Sequence, residues 1–357
     1  MNYLNILLYI IIIILFIIIL CNLYMKTGVK TITLDNTKEG FTGSTNEVKS
    51  IENNKDLAPI GSIQSIGKKY ADLPLKEYCV KASYNSACSG KYVSKDMIRH
   101  VLSRGCRFLD FEVFYIKHQK NFMPVVAKSS DPKFVLFDTD NHIPLEEAFT
   151  SVIGNAFSGT SPNKNDPLFL HLRIKTKNTE CYNEVSKLID SILKTKLMEG
   201  EINEETKVSE MLNKIVIVID KTVHRDYKDF AKCKVQDVNC YDISNYTHLE
   251  SGSQVLNKLD LSQVDNQPSN PVMIKDDNVT TTTEASKLVL PNTRNTQNPN
   301  MLKMVLRYGM QIVAYKYDQQ DGELEKCEAF FNDNKGGIVP LAAAITYFER
   351  IDTEQRK

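Results

Sequence analysis

The stretch that most constrains this chain is residues 73–128, LPLKEYCVKASYNSACSGKYVSKDMIRHVLSRGCRFLDFEVFYIKHQKNFMPVVAK. Residues 78–83 alternate as a short strand and lead into a loop rich in Ser and Gly. A helix follows, with Ser94 as N-cap, Met97, Ile98, Val101 and Leu102 at helical spacing, and Gly105 just past its end. Residues 107–114 read as a buried strand in which Asp110 and Glu112 stand two apart and so share one face. Residues 124–127 read as another strand. The order strand, loop, helix, strand, strand brings two carboxylates beside the first loop.

The pattern continues downstream. Pro144, Leu145, Glu146 and Glu147 open a helix with proline early and acids in the first turn. Residues 168–174 form an apolar strand, and residues 181–197 set Val185, Leu188, Ile189, Ile192 and Leu193 on one helical face. Residues 214–220 are a Val/Ile strand of the fully buried type. Strands alternating with helices predict parallel βαβ units in an α/β fold. At 357 residues there is room for one barrel of about 250 residues and an appendage.

Lys and Arg number 44, as do Asp and Glu. This balance gives no global field for nucleic acid, so no nucleic-acid partner is expected. Eight cysteines (21, 79, 88, 106, 181, 233, 240 and 327) form no CxxC pair, and reduced, mostly buried thiols are expected. Asn245-Tyr246-Thr247 and Asn278-Val279-Thr280 are glycosylation triplets. Residues 4–21 are an almost unbroken, uncharged run of Leu, Ile and Phe, long enough to span a bilayer. A cleaved signal peptide would follow basic residues and end in a small-x-small site, which this run does not. A single-pass membrane anchor over residues 1–25 is therefore expected, and Lys26 and Lys30 set the following domain on the cytosolic side. Residues 26–66 are polar and predict a flexible stalk.

Several separated segments resemble the catalytic barrel of phosphoinositide-specific phospholipase C. In its X half these are Pro74-Leu75, Tyr78, residues 82–86, Ser89-Gly90, Arg104-Gly105-Cys106-Arg107, Leu109-Asp110-Phe111-Glu112 and residues 124–128. In its Y half they are residues 290–294, Asn298-Pro299, residues 308–314 and residues 330–340. The resemblance implies a (β/α)8 TIM-type barrel, with the X half at 67–223, a poorly ordered polar linker at 224–286, and the Y half with a terminal helix at 287–357.

In active relatives two histidines carry protons, and a calcium ion held by Asn, Glu, Asp and Glu stabilises charge on phosphorus. Here the histidine positions fall on Tyr84 and Lys128. Asn85 matches a calcium ligand, Asp110 and Glu112 stand at two more, and the fourth position falls on Arg173. A guanidinium cannot bind calcium. It would sit beside the two acids as an internal ion pair, so no cofactor is expected here although active relatives use calcium. Of the phosphate-binding lysines only Lys221 stands nearby, with Arg294 as a further head-group candidate. The resemblance thus implies a membrane-anchored, catalytically inactive barrel that binds a phosphoinositide head group or a protein. The alternative is a calcium-independent phosphodiesterase in which Arg173 replaces the metal and His171 carries the proton.

Overall fold

A strand that reads as an unbroken apolar run must bury both faces, and a closed parallel barrel ringed by helices is the arrangement that does so. The structure is a computed structural model that describes residues 37–53, 62–118, 121–233, 240–276, 279–282, 285–292 and 297–356. The chain divides into two compact units, Met1–Phe41 and Thr42–Lys357. The described part of the first, residues 37–41, opens a helix, Thr37–Glu52. The second holds every other described element.

Its strands are β1 Tyr78–Ser83, β2 Phe108–His118, β3 Asn121–Ala127, β4 Ile143–Pro144, β5 Leu168–Ile174, β6 Ile215–Asp220, β7 Leu249–Ser251, β8 Leu256–Asp260, β9 Ile274–Asp276, β10 Val279–Thr280, β11 Ser286–Leu290, β12 Ile312–Tyr315 and β13 Ile338–Pro340. Among the described residues, β1, β2, β5, β6, β7, β8, β11 and β12 pair in parallel in that order, and β12 returns to β1. That closes an eight-stranded barrel. β3 and β4 extend β2 antiparallel, β13 pairs antiparallel with β1, and β9 with β10 forms a separate ribbon.

Alternation along each strand sorts side chains inward or outward. Val80, Ala82, Phe108, Phe169, Val216, Val218, Leu288, Ile312 and Ala314 form one apolar cluster inside the barrel. Their neighbours Cys79, Leu109, Phe111, Leu170, Leu172, Ile217 and Val313 join the larger cluster that receives the helices. The helix Lys95–Ser103 begins as the sequence predicts, with the Ser94 hydroxyl accepting the Met97 N–H at 3.1 Å.

Four expectations are corrected. The segment 224–286 is not a poorly ordered linker where it is described, because it supplies β7 and β8, without which the barrel is open between β6 and β11. The stretch 26–66 is not a flexible stalk where it is described. Thr37–Glu52 is helical, and Val48, Ile51 and Ile63 are buried in the outer core. Glu47 accepts hydrogen bonds from the Ser89 hydroxyl (2.8 Å) and the Lys91 N–H (3.2 Å), which fixes the helix against the loop after β1. The thiols are not all free, since Cys233 and Cys240 form a disulfide. The single-pass membrane assignment is overturned as well: among the described residues no helix is long and apolar enough to cross a membrane. The run 4–21 on which that assignment rested lies outside the described residues.

Replacing residues 240–285 with a short Gly/Ser linker removes two of the eight staves. Circular dichroism melting of that variant is expected to show no cooperative transition, whereas a wild-type-like melt would mean that the barrel closes without β7 and β8.

Candidate functional site

The carboxyl ends of barrel strands carry the side chains that face the mouth. On β5 the inward face reads Phe169, His171 and Arg173, and it continues to Lys175. On β2 it reads Phe108, Asp110 and Glu112. The register sets Asp110 beside His171 and Glu112 beside Arg173. Strand pairing alone therefore stacks two acids against an imidazole and a guanidinium.

Arg173 makes four hydrogen bonds with its neighbours. Nε donates to Asp110 Oδ1 at 2.8 Å, Nη1 to Glu112 Oε1 at 2.5 Å, and Nη2 to Asp110 Oδ2 at 2.6 Å and Asn85 Oδ1 at 2.7 Å. All four residues are buried. Asn85 is held in the left-handed region at φ 45°, which Asn tolerates better than most residues. Its N–H donates to Asp110 Oδ2 at 3.0 Å, and the second oxygen of Glu112 accepts the Ser129 N–H at 2.9 Å. Burial alone would raise the Asp110 carboxyl. The Arg173 charge and the His171 hydrogen bond outweigh it and hold the group well below the usual carboxylate range. Burial alone would likewise lower the Arg173 guanidinium, but Asp110 and Glu112 hold it above its ordinary value.

The two histidine positions of active relatives diverge here. Tyr84 is buried with Arg173 4.8 Å from its ring centroid, and burial pushes its phenol well above the ordinary value. It is no base near neutrality. Lys128 is half-buried, and its charge lowers the Asp318 carboxyl against the effect of burial. His171 is fully buried. Its Nδ1 lies 2.7 Å from Asp110 Oδ1 and its Nε2 2.8 Å from Ser251 Oγ, so both ring nitrogens are engaged. Lys221 sits 3.7 Å from Glu250, and Arg294 lies outside the described residues.

A cleft of about 360 Å³ opens over the cluster, lined by Tyr84, Glu112 and Arg173 together with Ser129, Ser130, Lys175, Lys258 and Asn292. Two of its cations escaped the sequence reading. Lys258 pairs with Asp220 at 2.7 Å; burial would raise that carboxyl, but the Lys258 charge outweighs it and lowers it to about 2. Lys175 stands 4.7 Å from the Phe134 ring centroid. Burial first, then the Arg173 charge, pushes its ammonium down to about 8. The signal for Lys175 was present in the alternation 169, 171, 173, 175. Lys258 and Ser251 had no such signal, because their strands read as loop.

Calcium requires about six to eight oxygen ligands around an open centre. Here a guanidinium lies within hydrogen-bond distance of Asn85, Asp110 and Glu112 alike, so the residues present do not fit the ion.

Residues 71–221 match the family model described as phosphatidylinositol-specific phospholipase C, X domain. Among solved structures, the chain is similar to L. pealei PLC21, at 13% identity and TM-score 0.55, with 80% of this chain and 39% of that chain covered. It is also similar to S. officinalis PLC21, at 15% identity and TM-score 0.53, over 81% and 39%. A calcium-dependent phosphoinositol-specific phospholipase C from a Gram-negative bacterium, Pseudomonas sp, matches at 12% identity and TM-score 0.43, over 77% and 98%. The comparison with curated proteins returns no match. At these identities the structures establish the barrel. The chain spans 39% of the length of each PLC21 protein. Residues 71–221 thus match the X domain of phosphatidylinositol-specific phospholipase C, within a barrel of the phospholipase C-like fold.

Arg173→Met would leave Asp110 and Glu112 buried without their counter-charge. Urea titration is expected to show a loss of about 3–5 kcal/mol. Because the folded Asp110 carboxyl is depressed, its contribution is full above the ordinary value near 4 and is lost as pH falls below it. The acid limb of the wild-type stability curve should therefore flatten in the variant.

Proposed function

We propose that this protein is a phospholipase C-like barrel that does not carry out phosphodiester transfer and uses its mouth to bind a phosphoinositide head group. The observation that carries this reading is the Arg173 guanidinium, whose four hydrogen bonds are made to Asn85, Asp110 and Glu112 of its own chain. An arginine serving as a metal substitute must turn donors toward the substrate phosphate, and here four of its five N–H donors are committed within the chain. Proton transfer is equally unsupported. Tyr84 titrates too high, and His171 is fully buried and is not among the residues that line the cleft. The calcium-independent phosphodiesterase reading needs both groups free.

Binding asks less of the site. The cleft has the size of a small-molecule pocket. Lys175 lines it, paired with no carboxylate among the described residues, and Ser129 and Ser130 line it too. Asn85 Nδ2 is buried without a hydrogen-bond partner, and a buried donor in that state favours a ligand that brings an oxygen acceptor.

Two measurements on the full chain test the reading. Radiolabelled phosphatidylinositol and its phosphorylated forms are expected to show no turnover, with EDTA or with calcium. Turnover in EDTA that His171→Ala and Arg173→Ala both abolish would overturn this. At pH 8 an amine-directed reagent should label Lys175 faster than an ordinary lysine titrating near 10.4, because burial and Arg173 lower its ammonium to about 8. Saturating myo-inositol 1-phosphate should slow that labelling; unchanged labelling would remove the head-group assignment.

A further inference from the structure

Two features lie outside the mouth and play no part in the function proposed above. The first is the Cys233–Cys240 disulfide. The five other described cysteines, Cys79, Cys88, Cys106, Cys181 and Cys327, are free and buried in the core. The fold thus brings only one described pair together, on the segment joining β6 to β7, and withholds the other thiols from exchange. Persisting disulfides belong to oxidising compartments.

The second feature is the triplet Asn245-Tyr246-Thr247, which begins five residues after Cys240. Asn245 ends a short turn, Ile243–Asn245, and its side chain is exposed. Tyr246 and Thr247 anchor the same turn, the tyrosine hydroxyl donating to Asp190 at 3.1 Å and the threonine hydroxyl to the Ile243 carbonyl at 2.9 Å. The acceptor amide therefore faces solvent while its two successors hold the backbone in place. A bulky glycan fits only at such a surface position.

We infer that Asn245 is an N-glycosylation site and that this barrel matures in an oxidising, glycosylating compartment. The disulfide and the exposed Asn245 at the head of its triplet are independent observations, and each calls for the same surroundings. In the transfer, Asn245 Nδ2 bonds to the anomeric carbon of a lipid-linked oligosaccharide. The bond from that carbon to the lipid diphosphate breaks, and one amide proton is lost. The disulfide forms by exchange with a protein disulfide, which is reduced to two thiols as Cys233 and Cys240 are oxidised. Asn245 precedes β7 and lies at the amino-terminal end of the barrel strands, whereas the cleft lies at their carboxyl ends. A glycan there leaves the mouth open, so this inference does not stand or fall with head-group binding.

The test is expression of the full chain in cells whose secretory pathway carries the oligosaccharyl transferase, followed by digestion with peptide:N-glycosidase. The wild type should shift in mobility on digestion, and Asn245→Gln should carry one glycan fewer, in the presence or absence of Asn278→Gln. In denatured, unreduced protein, Cys233 and Cys240 should resist a maleimide reagent until a reductant is added. Identical mobility of wild type and Asn245→Gln would overturn the site assignment, and free labelling of both thiols without reductant would overturn the compartment.

Discussion

The mouth of this barrel is organised by one guanidinium. Removing two carboxylates from water costs several kcal/mol each unless a counter-charge and hydrogen bonds replace the solvent. Arg173 provides both, with two bonds to Asp110, one to Glu112 and one to Asn85. Neighbouring features follow from this. Asn85 holds a left-handed backbone because its N–H and side-chain oxygen are both bound to the cluster. Tyr84 lies against the cation, and His171 is fixed by the same Asp110 oxygen that accepts from Arg173 Nε.

This arrangement separates stability from chemistry. An active mouth leaves charge uncompensated until a metal or substrate arrives. Here the charges are compensated within the chain, and the groups that could move protons are either buried in pairs or shifted away from neutrality. What remains addressable is the outer wall of the cleft, where Lys175 carries an amine within reach of titration near neutral pH. Under the function proposed above, the mouth holds an anion and does not transform it.

Much of this was legible in the sequence, and the failures have physical causes. Alternation placed Asp110 and Glu112 on one face, and the resemblance set Arg173 against them; parallel register then did what those positions implied. β7 and β8 were missed because they are three and five residues long and alternate Leu249 and Leu256 with Glu250, Asn257 and Lys258. A barrel needs only one apolar contact from such a stave, which is too little periodicity to register. The helix Thr37–Glu52 was missed because Val48 and Ile51 are an apolar pair in a polar run, and its anchor is the Glu47 carboxylate rather than apolar area. Engagement of both His171 nitrogens depends on Ser251, far along the chain on a strand that was itself hidden.

The central claim is that Arg173 stands where a cation would otherwise be needed, and calcium titration by calorimetry on the full chain addresses it most directly. The account predicts no binding heat for wild type up to millimolar calcium, and a gain of binding in Arg173→Glu, which rebuilds an oxygen cage with Asn85, Asp110 and Glu112. Calcium binding by wild type at millimolar affinity or tighter, lost on Asp110→Ala, would contradict it.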